Sequence, residues 1–244
     1  MRIPRVYLPG PLACGATVTL SGKAAHHVIH VLRLRVGTAV QVFDGQGSEH
    51  LATLKATGRG EASIEIGVPA APAAEPSLAI ELAQGIARND RMDFILQKAV
   101  ELGAGIIQPL WMQRSQSRVK GERLEKRLQH WQGVVVSACE QSGRATLPGL
   151  SPPVDYAVWV QACPEGDMQL MLQPDSEFCL REMAAPAGRV TLLVGPEGGM
   201  TLDEQALARR AGFTGTRLGP RILRTETAAL AALAGIQSLW GDFS

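Results

Sequence analysis

The chain has 244 residues, enough for one large domain or two modest ones, with 45% hydrophobic and 19% charged residues. That balance describes a globular protein and excludes a disordered one. A net charge of +1 excludes a strong global field for polyanions.

The start, MRIPRVYLPGPLACG, has no continuous apolar run and three prolines, so no signal peptide is expected. No stretch has the apolar length of a membrane span, and a soluble cytoplasmic protein is the expectation. Residues 1–68 read as mostly β, with short alternating or β-branched runs at Arg5–Leu8, Thr17–Leu20, Thr38–Phe43, Leu51–Ala56 and Ser63–Val68. Asp44-Gly45-Gln46-Gly47 is a turn between the third and fourth runs. One helix is predicted over Lys23–Leu34, carrying His26, His27 and His30. Without an intervening Glu or a third ligand, those histidines read as a packed or exposed helix face and not as a metal site. Cys14, Cys139, Cys163 and Cys179 are scattered with no CxxC pair, which points to free thiols.

Pro69-Ala70-Ala71-Pro72-Ala73-Ala74-Glu75-Pro76 offers nothing to pack and reads as a linker. The expected domains are therefore 1–72, a small β-barrel with one helix, and 73–244. Residues 1–72 hold 7 Lys/Arg against 4 Asp/Glu, a net +3, and the excess includes Arg2, Arg5, Arg33 and Arg35. Beyond the linker, strands and helices alternate, the mark of an α/β layer with a largely parallel sheet. A strand is expected at Leu78–Ala83. A helix from Asp90 to Gly103 places Met92, Ile95, Leu96, Ala99 and Leu102 on one apolar face. Lys98 and Glu101 then form a solvated i, i+3 pair on that helix. Ile106–Trp111 is the next strand, Gly121–Cys139 is helical, and Glu140-Gln141-Ser142-Gly143-Arg144 is a polar loop. Residues 151–189 are less distinctive: a strand at Met168–Leu172, a short helix at Ser176–Met183 and a turn at 186–188.

The most informative stretch is 190–240. Val190–Val194 is a strand of the doubly buried kind, stopped by Gly195-Pro196-Glu197-Gly198-Gly199. Thr201 N-caps a helix to about Ala211, with Glu204 completing a capping box. Thr214–Leu218 is a second strand, broken by Gly219-Pro220, and a last helix starts near Thr225. Two strands thus end in Gly/Pro loops, where open α/β sheets bind ligands. Each loop alone also reads as an ordinary βα turn. Neither is a Walker loop or a GxGxxG fingerprint.

LLVGPEGGMTLDE followed by LGPRILRTETAALAAL closely resembles the cofactor motifs of SPOUT methyltransferases, in the wording of the family that methylates N3 of a uridine in 16S ribosomal RNA. PRVYLPG, HHVIHVLRLRVG and VFDGQG resemble that family's PUA-like N-terminal domain, while LQKAVELG and EQSGR resemble further signatures. The resemblance implies a SPOUT-type α/β domain with a trefoil knot, behind a PUA-like β-barrel that helps grip RNA. It implies S-adenosylmethionine as cofactor, held by Val194, Gly195, Pro196, Glu197, Gly198 and Gly199. It adds Leu218, Gly219, Ile222, Leu223 and Arg224 from the second loop, Thr225 and Ala228 from the helix start, and Leu172. Arg5, Arg33, Arg88, Lys98, Arg114 and Arg144 are the implied RNA contacts. The implied partners are 16S ribosomal RNA in the small subunit and a second copy of the chain, and no metal is implied.

Transfer to N3 requires positioning of the methyl carbon in line with N3 and removal of the N3 proton. Glu197 is the candidate acceptor by its place in the loop, although a carboxylate there can instead bond neighbouring amides. Arg114 is a candidate to stabilise the uracil anion, as are Arg88, Arg144 and Arg224, and water is an alternative proton acceptor. A ribose 2′-O-methyltransferase of the same fold and a catalytically silent RNA-binding assembly factor stay open at this point.

Overall fold

In the N-terminal part of the chain, side chains alternate between a buried and a wetted face, and the strands pair accordingly. The computed structural model describes residues 3–71, 75–163 and 168–243. Here β1 (Arg5–Tyr7), β2 (Thr17–Leu20), β3 (Ala39–Phe43), β4 (Glu49–Thr57) and β5 (Ala62–Pro69) form one sheet in the order β1-β3-β4-β5-β2. The β3-β4-β5 run is an antiparallel meander, and β1 lies parallel to β3. Val6, Val40, Val42, Leu54, Ile64 and Ile66 project into a single core. Asp44 shapes the β3–β4 turn, its Oδ1 accepting the amides of Gln46 at 2.7 Å and Ser48 at 3.0 Å.

The predicted helix over Lys23–Leu34 is shorter and wider than expected. Only Gly22–His26 (α1) is α-helical, and His27–Val31 continues as a π-turn closed by Leu32 N–H on His27 O at 2.8 Å. Val28, Ile29 and Val31 are β-branched and crowd a tight α-turn, and Arg33 ends the segment at φ 52°.

Arg5 is also corrected. It is only 6% exposed, and its Nε donates to Glu49 Oε1 at 2.7 Å. Its remaining nitrogens donate to the carbonyls of Cys139 (2.7 Å) and Arg144 (3.3 Å), and the guanidinium lies over the Phe43 ring. These commitments leave it no charge to present to a nucleic acid, because a buried cation must be fully paired to be tolerated.

Compactness divides the chain into residues up to Glu75 with Val136–Leu147, and Pro76–Val135 with Pro148 onward. Val136–Leu147 thus groups with the first unit, and the boundary expected at 72/73, like Arg2, lies outside the described residues. That segment is the end of α3 (Glu122–Ser142) and the loop after it. The helix runs past Cys139 to absorb Glu140-Gln141-Ser142, expected as loop, and stops at Gly143, whose φ of 98° only glycine adopts readily.

Among the described residues, the second unit holds a seven-stranded, all-parallel sheet. Its strands are β6 (Ile80–Gly85), β7 (Ile106–Trp111), β8 (Gly149–Leu150), β9 (Val154–Asp155), β10 (Met168–Leu172), β11 (Val190–Val194) and β12 (Thr214–Thr216). They run β12-β10-β11-β6-β7-β8, with β9 also on β7. Every residue of β6 and β11 is buried, as parallel strands covered on both faces require. The unit's helices include α2 (Asn89–Glu101), α4 (Tyr156–Ala162), α5 (Leu202–Arg210) and α6 (Thr225–Trp240); α4 packs on β7 and β9, α6 on β11, and α2 on α6. β8, β9 and α4 were not foreseen; Asp155 caps α4 by accepting the Ala157 amide at 3.0 Å.

The helix expected at Ser176–Met183 shrinks to one 3₁₀ turn, Leu180–Glu182. Ser176 Oγ donates to Gly215 O at 2.7 Å, and Arg217 donates to Ser176 O at 2.6 Å, so the segment is bonded to β12 and its far side instead of to itself. No helix among the described residues is long and apolar enough to cross a membrane.

Candidate functional site

β10 pairs in parallel with both β11 and β12, and Leu172 lies opposite Thr216 in that register. The chain therefore leaves all three strands on one edge, where backbone amides are bare and a ligand can approach. A cavity of about 390 Å³ opens there, within the range of small-molecule sites.

Its walls are the 194–200 segment, the 216–225 segment and the start of α6. Every residue expected at the cofactor site lines it: Leu172, Val194, Gly195, Pro196, Glu197, Gly198 and Gly199 on one side, Leu218, Gly219, Ile222, Leu223, Arg224, Thr225 and Ala228 on the other. Close packing explains the glycines. A Cβ on Gly195 would lie 3.0 Å from Met200 Cγ, and one on Gly198 would lie 2.8 Å from Arg114 Cβ. Gly199 and Gly219 hold φ of 68° and 91°, as their tight turns demand.

Two bonds hold the walls together. Thr225 Oγ1 donates to Gly195 O at 2.6 Å and accepts from Gln84 Nε2 at 3.1 Å, so the first residue of α6 is tied to the loop after β11. Gln84 is completely buried at the end of β6, and its Nε2 also donates to Gly85 O at 2.9 Å. Behind the loop, the Thr201–Glu204 capping box forms as expected, and Glu204 Oε1 accepts the Gln113 amide at 2.8 Å. Tyr156 donates its hydroxyl to Glu204 O at 2.7 Å; burial, then the Glu204 charge, pushes that phenol above its ordinary range.

The expected polar residues separate. Glu197 Oε1 accepts the Arg88 amide at 2.8 Å and lies 3.6 Å from Arg91 Nη1, while Oε2 has no hydrogen-bond partner among the described residues. Arg114 donates to Gly198 O at 2.9 Å and so braces the glycine loop. The Arg88 side chain is exposed beside Glu197. Lys98 pairs with Glu101 at 2.7 Å on α2 and does not line the cavity. Arg5, Arg33 and Arg144 belong to the other unit, where Arg144 pairs with Glu75 at 2.8 Å.

Sequence reasoning missed Arg91, which lines the cavity between Glu197 and Glu226, the latter at 3.8 Å. It missed Gln84 as well. A polar residue near the end of a buried strand, before a glycine, was the available signal for Gln84, but nothing local marks Arg91.

A family model described as an RNA methyltransferase domain matches residues 74–237, and one described as an RNA methyltransferase PUA domain matches residues 20–67. Fold and site thus define an RNA methyltransferase with a parallel α/β, SPOUT-like second unit. Ribosomal RNA small subunit methyltransferase E of Buchnera aphidicola subsp. Schizaphis graminum is 32% identical over 243 residues, covering 100% of this chain and 99% of that protein. The enzyme of the same name from Neisseria gonorrhoeae, solved bound to S-adenosyl methionine, is 42% identical with a TM-score of 0.92, covering 100% of both chains. A protein from Legionella pneumophila, solved with the same cofactor, is 35% identical with a TM-score of 0.96 over 100% of both. The chain belongs to the ribosomal RNA small subunit methyltransferase E family.

Proposed function

We propose that the protein transfers a methyl group from S-adenosylmethionine to N3 of a uridine in 16S ribosomal RNA. The observation that carries this reading is the glycine-walled cavity at the carboxyl edge of β10, β11 and β12, in a chain whose relatives are solved with that cofactor. The residues present fit it. Gly195, Gly198 and Gly199 line the cavity without side chains, so backbone can lie directly against an adenosine, and the 390 Å³ volume suits a nucleoside with an amino-acid tail. When bound, the cofactor supplies an electrophilic methyl on a sulfonium.

The chain's own work is positioning and proton removal. Thr225 and Arg114 fix the Gly195 and Gly198 carbonyls, which sets the cradle before anything binds. As the N3–C bond forms, the N3 proton must leave; Glu197 Oε2 is the free acceptor on the loop, while Oε1 is held by the Arg88 amide. Arg114 keeps donors beyond the one given to Gly198 and can stabilise the uracil anion.

The same reading includes a trefoil knot in the second unit, a cytoplasmic location, the assembled small subunit as substrate and a homodimer. For the dimer, the support is apolar surface at the end of the chain, with Leu239 45% and Phe243 47% exposed. Methyl transfer to free 16S RNA and to small subunits, compared by nucleoside analysis, tests the substrate. 3-methyluridine from either supports the reading, and a labelled ribose from both refutes it.

A further inference from the structure

Three unusual features lie together in the first unit. The backbone is a π-turn over His27–Val31, and Arg33, at φ 52°, is the non-glycine residue of positive φ among the described residues. Both conformations cost energy and collect where a protein uses them. Beside them opens a cavity of about 420 Å³, whose lining among the described residues belongs to this unit.

Its apolar lining is Ile3, Pro4 and Leu32, and its polar lining includes His27, Ser137 and Gln141. Glu140 also lines it, with one oxygen taking the Tyr7 amide at 3.1 Å and the other without a hydrogen-bond partner among the described residues. Burial raises that carboxyl from its ordinary range, against the Tyr7 amide and the charges of His27 and Arg5, and its second oxygen is open to a ligand donor. An anion fits poorly: Arg5 has its donors on Glu49, Cys139 O and Arg144 O, and a carboxyl stands in the lining. What does fit is a flat group with an apolar face and a donor–acceptor edge.

We propose that this cavity binds one unstacked nucleobase of the RNA substrate. The inference rests on the RNA methyltransferase reading and adds to it a second recognition point, away from the methyl-transfer site. His27 and the apolar walls pack on the base, Ser137, Glu140 and Gln141 meet its edge, and the exposed Arg33 and Arg35 just past Leu32 are placed to take flanking phosphates. The family match to a PUA domain of RNA methyltransferases covers His27, Leu32 and Arg33, which is why RNA is the occupant chosen.

The test uses the full chain and a fluorescein-labelled transcript of small-subunit ribosomal RNA, with affinity read by anisotropy. Ser137→Trp fills the cavity from an exposed helix position, and Gln141→Ala deletes one exposed amide. Ser137→Trp should weaken RNA binding about tenfold or more, the effect of losing one stacked base. Gln141→Ala should weaken it by about threefold to tenfold. S-adenosylmethionine affinity by calorimetry should stay at the wild-type value in both, and the slope of log K against log salt should not change, since no phosphate contact is lost. Unchanged RNA affinity in both variants, or a shallower salt slope, overturns the proposal. Should Ser137→Trp fail to fold, Gln141→Ala decides alone. A wild type that transfers no methyl but whose RNA binding responds to these variants would end the enzymatic reading and leave the base pocket standing.

Discussion

Replacing Thr225 by Val keeps the shape of the side chain and removes only its hydroxyl, and what that hydroxyl does is explicit. It donates to Gly195 O at 2.6 Å and accepts from Gln84 Nε2 at 3.1 Å, with Thr225 7% and Gln84 0% exposed. Gln84 Nε2 keeps Gly85 O at 2.9 Å, so the donor stays satisfied. Gly195 O retains only a contact of 3.4 Å to the same nitrogen, at the edge of hydrogen-bonding range. The loss is one good bond to a nearly orphaned carbonyl, about 1–3 kcal/mol. With a urea dependence of about 2 kcal/mol/M, that lowers the unfolding midpoint by roughly 0.5–1.5 M. The four tryptophans (Trp111, Trp131, Trp159 and Trp240) all belong to the second unit, so their fluorescence follows the relevant transition. Because Gly195 lines the cavity, calorimetry should also show S-adenosylmethionine binding weakened about tenfold, while Thr225→Ser stays near wild type. A Thr225→Val protein with wild-type midpoint and affinity would refute the claim that this bond sets the loop.

Gly85→Ala should be worse for binding than its small size implies. The new Cβ would lie 2.6 Å from Pro196 Cδ and 2.8 Å from Met112 Sδ, costing about 1–3 kcal/mol and displacing the loop, as the same two assays would read. Glu49→Ala strands Arg5 as a buried cation and should destabilise the first unit by about 3–5 kcal/mol, seen as faster hydrogen exchange in β3 and β4. For pH, Glu81 is the informative group. Burial raises its carboxyl above the ordinary 4.5, more than the Arg189 charge at 3.7 Å lowers it. The folded state then holds the proton longer than the unfolded one, so this contribution is complete below pH 4.5 and is lost as pH rises through the folded value. Glu81→Gln should abolish that loss, making its Tm advantage over wild type larger at pH 7 than at pH 4; an equal difference at both would contradict it.

Legibility in the sequence followed the range of the forces. Val190–Val194, the Thr201–Glu204 capping box and the Thr225 helix start were readable because period, cap and breaker signals agree within a few residues. That both Gly/Pro loops wall one cavity followed from their place at strand ends. The rest depends on partners far along the chain. Arg5 looks like a surface cation until Glu49 and the carbonyls of Cys139 and Arg144 close around it. Ser176–Met183 has helical composition but is drawn out by Gly215 and Arg217. Arg91 acquires meaning only when Glu197 and Glu226 are brought to it from two other elements.

The central claim is the transfer of a methyl group to uridine N3, and one measurement addresses it most directly. Purified protein is incubated with methyl-labelled S-adenosylmethionine and small ribosomal subunits lacking the modification, and the nucleosides are separated and identified. The account predicts label in 3-methyluridine. Label on a ribose, or none from a protein that binds the cofactor and the RNA, would contradict it.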